Sequence, residues 1–164
     1  MEIIKDWKQI KKICRSSFRS SMHFSIASVD KSGNPHISPI GSLILGEPGK
    51  AIYFELFTKN LARNFEHNNQ ICIMAVNSGK WFWLKSLLLG RFIEMPALRL
   101  KGKAGIRREA TPKEVSLWQK RVKSLAFTKG HGILWSTISN VRELEITSCE
   151  VIHAGDMTKN MSQT

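Results

Sequence analysis

A group of polar and basic side chains in the middle of the chain has the chemistry of an anion-binding site. Thr58, Lys59 and Asn60 stand at the predicted start of a short helix, and Arg63 follows Lys59 by one turn on the same side. Free backbone N–H groups and the positive end of the helix dipole favour an anion at such a position. The segment is therefore a candidate phosphate site. The alternative is an ordinary helix N-terminus whose charged side chains face solvent.

A second segment has the features of a strand that a ligand approaches closely. In Ser38-Pro39-Ile40-Gly41-Ser42 the proline removes one ladder donor and the glycine removes one side chain. Such a strand suits the edge of a sheet or close contact with a flat ligand. A simple bend at the corner of a barrel explains the same residues, and the sequence leaves both interpretations open.

The residue types that usually carry catalysis or bind metals form no motif. The five histidines, at positions 23, 36, 67, 131 and 153, lie in unrelated contexts and none belongs to a nucleophile motif. Cys14, Cys72 and Cys149 are widely spaced and odd in number, which argues against a disulfide framework and against a zinc site. We therefore expect reduced thiols and no metal, and the sequence identifies no catalytic residue.

The elements that must position these side chains are short β-strands. Strands are predicted at residues 22–29, 37–45, 51–57, 71–76, 98–104 and 141–147, and a helix of two or three turns at 58–68. Many short strands with few long helices favour a mainly β fold, an antiparallel β-barrel with appended helices, over a doubly wound sheet. We expect one domain over residues 1–164, with an N-terminal helix at about 2–19, the barrel at about 20–153 and a loose C-terminal tail at about 156–164.

Two helices are predicted to lie on the surface of this barrel. The apolar face of the N-terminal helix is formed by Ile3, Trp7, Ile10 and Cys14, and its other face is basic. The second helix begins with Thr111 as N-cap, Pro112 at the first helical position and Glu114 at the third. Its apolar stripe includes Val115, Trp118 and Val122.

The order and spacing of three motifs resemble one protein family. The motifs are Gly33-Asn34-Pro35-His36-Ile37-Ser38-Pro39-Ile40, then Ile52-Tyr53-Phe54-Glu55, then Thr58-Lys59-Asn60-Leu61-Ala62-Arg63-Asn64-Phe65. In this order they resemble the core of the FMN-binding split-barrel proteins related to pyridoxamine 5′-phosphate oxidase. The resemblance covers roughly residues 20 to 110 and implies a split β-barrel of the FMN-binding type.

The resemblance implies FMN as cofactor and an FMN-dependent oxidoreductase acting on an unknown small molecule. A flavin supplies the redox chemistry itself, so that the protein needs only to hold and orient it. The phosphate would lie at the start of the short helix and the isoalloxazine edge against the strand that contains Pro39. The cofactor-binding residues that we expect are Ser38, Pro39, Ile40, Gly41, Phe54, Glu55, Thr58, Lys59, Asn60 and Arg63.

Several positions depart from the pattern of the pyridoxamine phosphate oxidases proper. In those enzymes the matching strand starts with arginine and ends with lysine, and the helix starts with an Arg-Lys pair. The corresponding residues of this chain are Ser38, Leu43, Asn60 and Leu61. The substrate-binding Arg-x-His segment of the oxidases also has no good match near the C-terminus. We therefore expect a reduced or rebuilt phosphate site and no oxidation of pyridoxamine phosphate. F420 and haem, which other members of the superfamily bind, stay open as alternative cofactors.

The stretch from Trp81 to Leu89 is too apolar for an exposed loop. Barrels of this family pair as homodimers with FMN in the crevice between subunits, and large aromatic side chains are enriched at the centres of interfaces. The resemblance therefore implies a homodimer, with this stretch at the interface or facing the flavin. Plain core packing is the alternative.

The formal net charge of +12 supports a different interpretation. Basic residues concentrate at Lys5–Arg19 and Arg99–Lys129, and a basic barrel with aromatic side chains could bind single-stranded nucleic acid without any enzymatic activity. These basic residues do not form a stripe in which aromatic side chains alternate with them, so nucleic-acid binding stays the second interpretation, after a small-molecule ligand.

The N-terminus lacks the apolar core of a signal peptide, and we expect a cytoplasmic protein without a membrane segment.

Overall fold

One seven-stranded sheet carries the fold. The computed structural model describes residues 1–135 and 138–161. The strands are β1 (Phe24–Val29), β2 (Pro35–Ile40), β3 (Ile44–Leu45), β4 (Lys50–Phe54), β5 (Gln70–Val76), β6 (Ala97–Glu109) and β7 (Asn140–Val151). They follow the order β2-β1-β5-β6-β7-β4-β3, and every neighbouring pair is antiparallel. The expected mainly β fold with appended helices is confirmed.

Helices lie between and beside these strands. They are α1 (Trp7–Ser21), α2 (Lys59–Phe65), α3 (Lys80–Leu89), α4 (Pro112–Val122) and α5 (Lys129–Trp135), with 3₁₀ turns at Lys123–Leu125 and Gly155–Met161. The first helix starts at Trp7 rather than near residue 2. The Asp6 carboxylate accepts a hydrogen bond from the Glu2 N–H at 2.8 Å, which closes a separate turn before the helix.

The C-terminal segment differs from the loose tail that we expected. Residues 155–161 form a 3₁₀ turn, and within it Thr158 is fully buried. Thr158 Oγ1 accepts a hydrogen bond from the Ala154 N–H at 2.9 Å, and the Phe92 N–H donates to Met157 O at 3.0 Å. The sequence gives no sign of these contacts, because a short polar segment resembles a free tail until its partners are known. Residues 162–164 of the expected tail lie outside the described residues.

The core is built from the apolar sides of the strands and the inner face of α1. Along β1 the more deeply buried positions alternate, with Phe24 and Ile26 inside, as the period-two pattern predicts. Helix α1 buries Trp7 and Ile10 among other residues of its predicted apolar face, and it packs against β5 and β6. The indole N–H of Trp7 donates to Gly46 O at 2.9 Å, which fixes the helix on the turn before β4.

Ser42 joins the two edge regions of the sheet. Residues 37–45, expected as one extended stretch, are interrupted between β2 and β3, and Ser42 lies in that interruption. Its hydroxyl donates to Phe54 O at 3.0 Å and accepts from the Phe54 N–H at 3.1 Å. Because β2 and β4 lie near opposite ends of the strand order, this contact bends the sheet round the core. It also brings the end of β2 beside the loop that follows β4.

The long β6–β7 pair contains one irregularity that requires glycine. The register between the strands shifts at Lys101/Gly102 and again between Ala104 and Arg107. A Cβ atom added at Gly102 would lie 1.9 Å from Glu145 O, so no other residue fits without moving the backbone.

Within residues 1–135 and 138–161, no helix has the length and apolar character needed to cross a membrane.

The apolar stretch from Trp81 to Leu89 forms most of α3, which lies on the surface. The side chains of Phe82 and Trp83 pack against Phe92, with ring centroids 5.5 and 5.1 Å apart. Trp81 and Leu88, by contrast, are 82 and 79% exposed. Core packing therefore accounts for only part of this helix.

Candidate functional site

A cavity of about 990 Å³ opens where the end of β2 meets the loop after β4. Eight of the ten residues predicted to bind the cofactor line it, namely Ser38, Pro39, Ile40, Gly41, Phe54, Thr58, Lys59 and Asn60. The volume lies at the upper end of the range of roughly 300–1,000 Å³ that is usual for small-molecule sites. The fold thus brings together the two segments that the sequence marked separately.

Thr58 supplies an unused hydrogen-bonding group at this cavity. It precedes α2 in the N-cap position, but its side chain makes no capping hydrogen bond. Thr58 Oγ1 is buried and makes no hydrogen bond within the described residues. The Tyr53 hydroxyl lies near enough to interact with it, yet donates to Glu55 Oε1 at 3.4 Å. Because a buried polar atom without a partner costs about 1–3 kcal/mol, this hydroxyl is suited to bind a ligand atom.

Lys59 and Asn60 are the charged and amide groups beside that hydroxyl. Both are exposed at the mouth of the cavity and follow Thr58 directly in the chain. Arg63, which we expected in the same site, is exposed and does not line the cavity. Its Nη2 instead donates to Asn60 Oδ1 at 2.9 Å, so it orients the Asn60 amide from the solvent side.

Glu55 also lies outside the lining, and besides the Tyr53 hydroxyl its carboxylate already has two arginine partners. Arg142 Nε donates to Oε1 at 3.0 Å and Arg142 Nη2 to Oε2 at 3.2 Å, while Arg107 Nε lies 3.1 Å from Oε2. The Glu55 side chain is only 5% exposed, so the ion pairs join the end of β4 to β6 and β7 inside the protein. Burial, together with the charge of Glu55, raises the pKa of Tyr53 above its ordinary value and keeps that phenol neutral.

The apolar walls of the cavity are formed by α1 and α4, two helices that the sequence analysis did not place at the site. Phe18 and Met22 at the end of α1, and Trp118 and Val122 on α4, line the cavity together with the loop after β4. The Phe54 and Trp118 rings lie 6.0 Å apart. Trp118 was expected only as part of an apolar stripe, and no sequence signal places Phe18 here, because both contacts depend on how the helices cross the sheet.

Backbone strain is concentrated at this cavity. Among the described residues, the non-glycine residues with positive φ are Met22 at 63° and Phe57 at 58°, and both line it. Met22 ends α1, where its N–H donates to Phe18 O at 2.7 Å, so its conformation belongs to a helix cap. Phe57 has no such role and keeps a large aromatic side chain 75% exposed. Strain of this kind collects at ligand sites, because the surrounding structure holds it there.

The histidines and cysteines of the described part of the chain form no metal site, and none of them lines the cavity. The described residues contain no group of three or more His, Cys, Asp or Glu side chains that could hold a metal ion. His36 lies in the β1–β2 hairpin, 3.2 Å from Asp30 Oδ2. Burial raises the pKa of Cys14 to about 12 and that of Cys149 to about 11, so both thiols stay protonated at neutral pH.

Comparison with solved structures shows proteins of the same fold. An FMN-binding protein from Syntrophomonas wolfei subsp. wolfei is 12% identical, with a TM-score of 0.55, covering 92% of this chain and 94% of that one. HutZ, the haem storage protein from Vibrio cholerae, is 15% identical, with a TM-score of 0.52 and coverages of 92 and 95%. An F420 reductase is 10% identical, with a TM-score of 0.53 and coverages of 83 and 94%. At these identities the likeness shows the fold alone.

The sequence itself shows the family. Comparison with curated proteins found no match. The family model described as pyridoxamine 5′-phosphate oxidase matches residues 10–151, a span that includes the whole sheet and every residue of the cavity lining. The chain therefore belongs to the pyridoxamine 5′-phosphate oxidase family, with its split-barrel fold.

Proposed function

We propose that the chain binds FMN in the 990 Å³ cavity and acts as an FMN-dependent oxidoreductase on a small molecule. The observation that carries the proposal is the convergence of the two predicted cofactor segments, residues 38–41 and 58–60, on one cavity. The unpartnered Thr58 hydroxyl and the strained backbone at Phe57 support a ligand at the same place.

The lining residues fit the two ends of a flavin mononucleotide. Thr58, Lys59 and Asn60 offer a hydroxyl, an ammonium group and an amide to the phosphate. The backbone around Pro39 and the ring of Trp118 offer an edge and an apolar wall to the isoalloxazine. When bound, FMN supplies the electron transfer, and these residues hold it and limit its contact with water.

Haem fits this lining less well than a flavin does. Haem iron in proteins is usually bound by His, Cys, Met or Tyr. Of the described residues that line the cavity, none is His, Cys or Tyr, and Met22 alone has a side chain of that type. F420 shares the flavin-like ring system and differs at its charged tail, so it is the second candidate cofactor.

Nucleic-acid binding is disfavoured by the pairing of basic side chains along β6. Arg99 and Lys101 form ion pairs with Glu150, and Arg108 forms ion pairs with Glu114 and Glu143. Paired charges contribute little to phosphate neutralisation along a nucleic-acid strand.

We also infer a cytoplasmic location, because the three cysteines are free thiols.

The test compares FMN with riboflavin, which lacks the phosphate. A charge-assisted contact contributes about 1.5–3 kcal/mol, so Lys59→Ala should weaken FMN binding about ten- to a hundredfold and leave riboflavin nearly unchanged. Lys31→Ala, in the exposed β1–β2 turn and outside the cavity lining, is the matched control. Fluorescence quenching measures both ligands.

Three results would contradict the proposal. Equal affinities of the wild-type chain for FMN and riboflavin would remove the phosphate site. Tighter binding of F420 or haem than of FMN, in the same titration followed by visible spectroscopy, would replace the cofactor. Affinity that falls steeply with salt and responds equally to Lys31→Ala and Lys59→Ala would indicate a general basic surface.

A further inference from the structure

The solvent side of α1 is basic and borders a groove between α1 and α4, called here the α1–α4 groove. Helix α1 contains no Asp or Glu between Trp7 and Ser21. The cations that line the groove are Lys11, Arg15 and Arg19 from α1 and Arg121 from α4. None of the described residues that line it is acidic. The groove therefore presents charge of one sign, and such a surface attracts an anionic partner.

The arginines of the groove are not neutralised by carboxylates of the protein. Among the described residues, the ion pairs include neither Arg15, Arg19 nor Arg121. Arg121 Nη1 instead donates to Leu43 O at 2.6 Å. Arg108, by contrast, forms ion pairs with two glutamates. The arginines of the groove are thus available to pair with carboxylates of a partner.

The apolar residues of the groove favour a protein as that partner. Phe18, Met22 and Leu45 line it beside the arginines, and Met22 is 53% exposed. Arginine, methionine and aromatic side chains are enriched at the centres of protein–protein interfaces. A phosphate backbone would pair with the cations alone and leave the apolar side chains unmatched. A concave groove is also poorly accessible to the flat surface of a lipid bilayer.

The groove adjoins the 990 Å³ cavity. Phe18 and Met22 line both spaces, so the two share a wall. On α4, Arg121 lines the groove and the next residue, Val122, lines the cavity. A protein bound in the groove therefore lies close to a molecule held in the cavity. An oxidoreductase that uses FMN there needs a source of electrons, which the proposed function does not name.

We propose that the α1–α4 groove is the docking surface for an acidic protein that carries one electron, of the ferredoxin or flavodoxin class. This inference rests on the proposed binding of FMN in the neighbouring cavity. Two carriers each give up one electron and are oxidised, and with two protons from water they convert one bound FMN to its reduced form. Opposite charges on the groove and the carrier raise the rate of encounter and orient the carrier towards the shared wall.

Calorimetry with an oxidised plant-type ferredoxin and the FMN-free chain measures docking alone. We expect an affinity that falls steeply with added salt. Arg15→Glu and Arg19→Glu each reverse an exposed charge in the groove and should weaken binding about tenfold or more. Lys31→Glu and Lys103→Glu make the same change at exposed positions that do not line the groove, and should weaken binding at most about threefold.

Stopped-flow reduction of the FMN-loaded chain by reduced ferredoxin measures electron delivery. Arg15→Glu should slow this reduction about tenfold or more. Reduction by dithionite, a small molecule that needs no docking surface, should keep its wild-type rate within about twofold. Docking that depends on Arg15 in a chain that fails to bind FMN would support the surface and contradict the FMN proposal alone, so the two failures are distinguishable.

Four results would overturn the docking surface. They are a wild-type chain that binds neither ferredoxin nor flavodoxin, equal weakening by Arg15→Glu and Lys31→Glu, and reduction by ferredoxin that Arg15→Glu leaves unchanged. The fourth is tighter binding of a single-stranded oligonucleotide or of phosphatidylserine vesicles than of either carrier, lost in Arg15→Glu, which would assign the groove to a different partner.

Discussion

Two threonines at helix starts show how one side chain serves different purposes at different places. Thr111 Oγ1 accepts a hydrogen bond from the Glu114 N–H at 3.3 Å, and the Thr111 N–H donates to the Glu114 carboxylate at 2.8 Å. Thr58 occupies the equivalent position before α2 and forms no capping bond. Its buried hydroxyl therefore destabilises the ligand-free protein and is available to form a hydrogen bond with a ligand.

Replacing Thr58 by valine removes this hydroxyl and keeps the shape of the side chain. We expect the free energy of unfolding to stay equal or rise by up to roughly 1 kcal/mol, because an unpartnered polar atom is lost. FMN affinity should fall about tenfold, since the bound phosphate loses one donor. Urea unfolding and fluorescence quenching measure the two effects. A less stable variant with unchanged FMN binding would show that Thr58 serves the fold instead.

Helix α4 connects the stability of the fold with the wall of the 990 Å³ cavity. Its capping box at Thr111 is tied to β6 through Arg108, whose guanidinium donates to both Glu114 carboxylate oxygens. The hydrogen bonds from Arg108 lower the pKa of Glu114 to about 2. The same helix buries Trp118 and Val122, which line the cavity of about 990 Å³.

The substitution Thr111→Ala tests whether the cap stabilises the helix without forming part of the site. It should lower the free energy of unfolding by about 0.5–2 kcal/mol, as loss of an N-cap does, and leave FMN affinity within twofold at 25 °C. Thermal melting and fluorescence quenching on the same preparation provide the readouts. Weaker FMN binding with unchanged melting would mean that Thr111 contacts the ligand, contrary to its place outside the lining of the 990 Å³ cavity.

At the scale of the whole molecule, helix α3 leaves large apolar side chains uncovered in the monomer. On α3, Trp81, Leu87 and Leu88 are 82, 61 and 79% exposed. A contiguous exposed apolar surface often marks an interaction site. We propose that it is covered by a second copy of the chain, as the family resemblance implies.

Light scattering should return twice the monomer mass of 18.6 kDa at micromolar concentration. Leu88→Lys places a charge in the interface and should shift the protein towards monomer. Ile4→Lys adds the same charge at another exposed apolar side chain, which lies near the N-terminus, and should leave the dimer intact. A wild-type mass near that of one chain would contradict the homodimer.

Much of this fold could be predicted from local patterns. Strand β1 shows period-two alternation, α4 begins with a complete capping box, and the order of the three motifs indicates the family before any contact is known. These features involve residues within a few positions of one another, so a sequence displays them directly. Half of the residues that line the 990 Å³ cavity were predicted from these motifs and the residues next to them, because neighbouring residues tend to share a site.

The tertiary structure decided which distant residues meet, and therefore the limits of the site. Arg63 follows Lys59 by one turn but lies outside the cavity, and Glu55 is occupied by Arg142 from β7. The Ser42 contact with Phe54 and the position of Arg121 between α1 and α4 depend on strand order and helix packing. Contacts of this range are set by the burial of whole faces against one another, which no local spacing encodes.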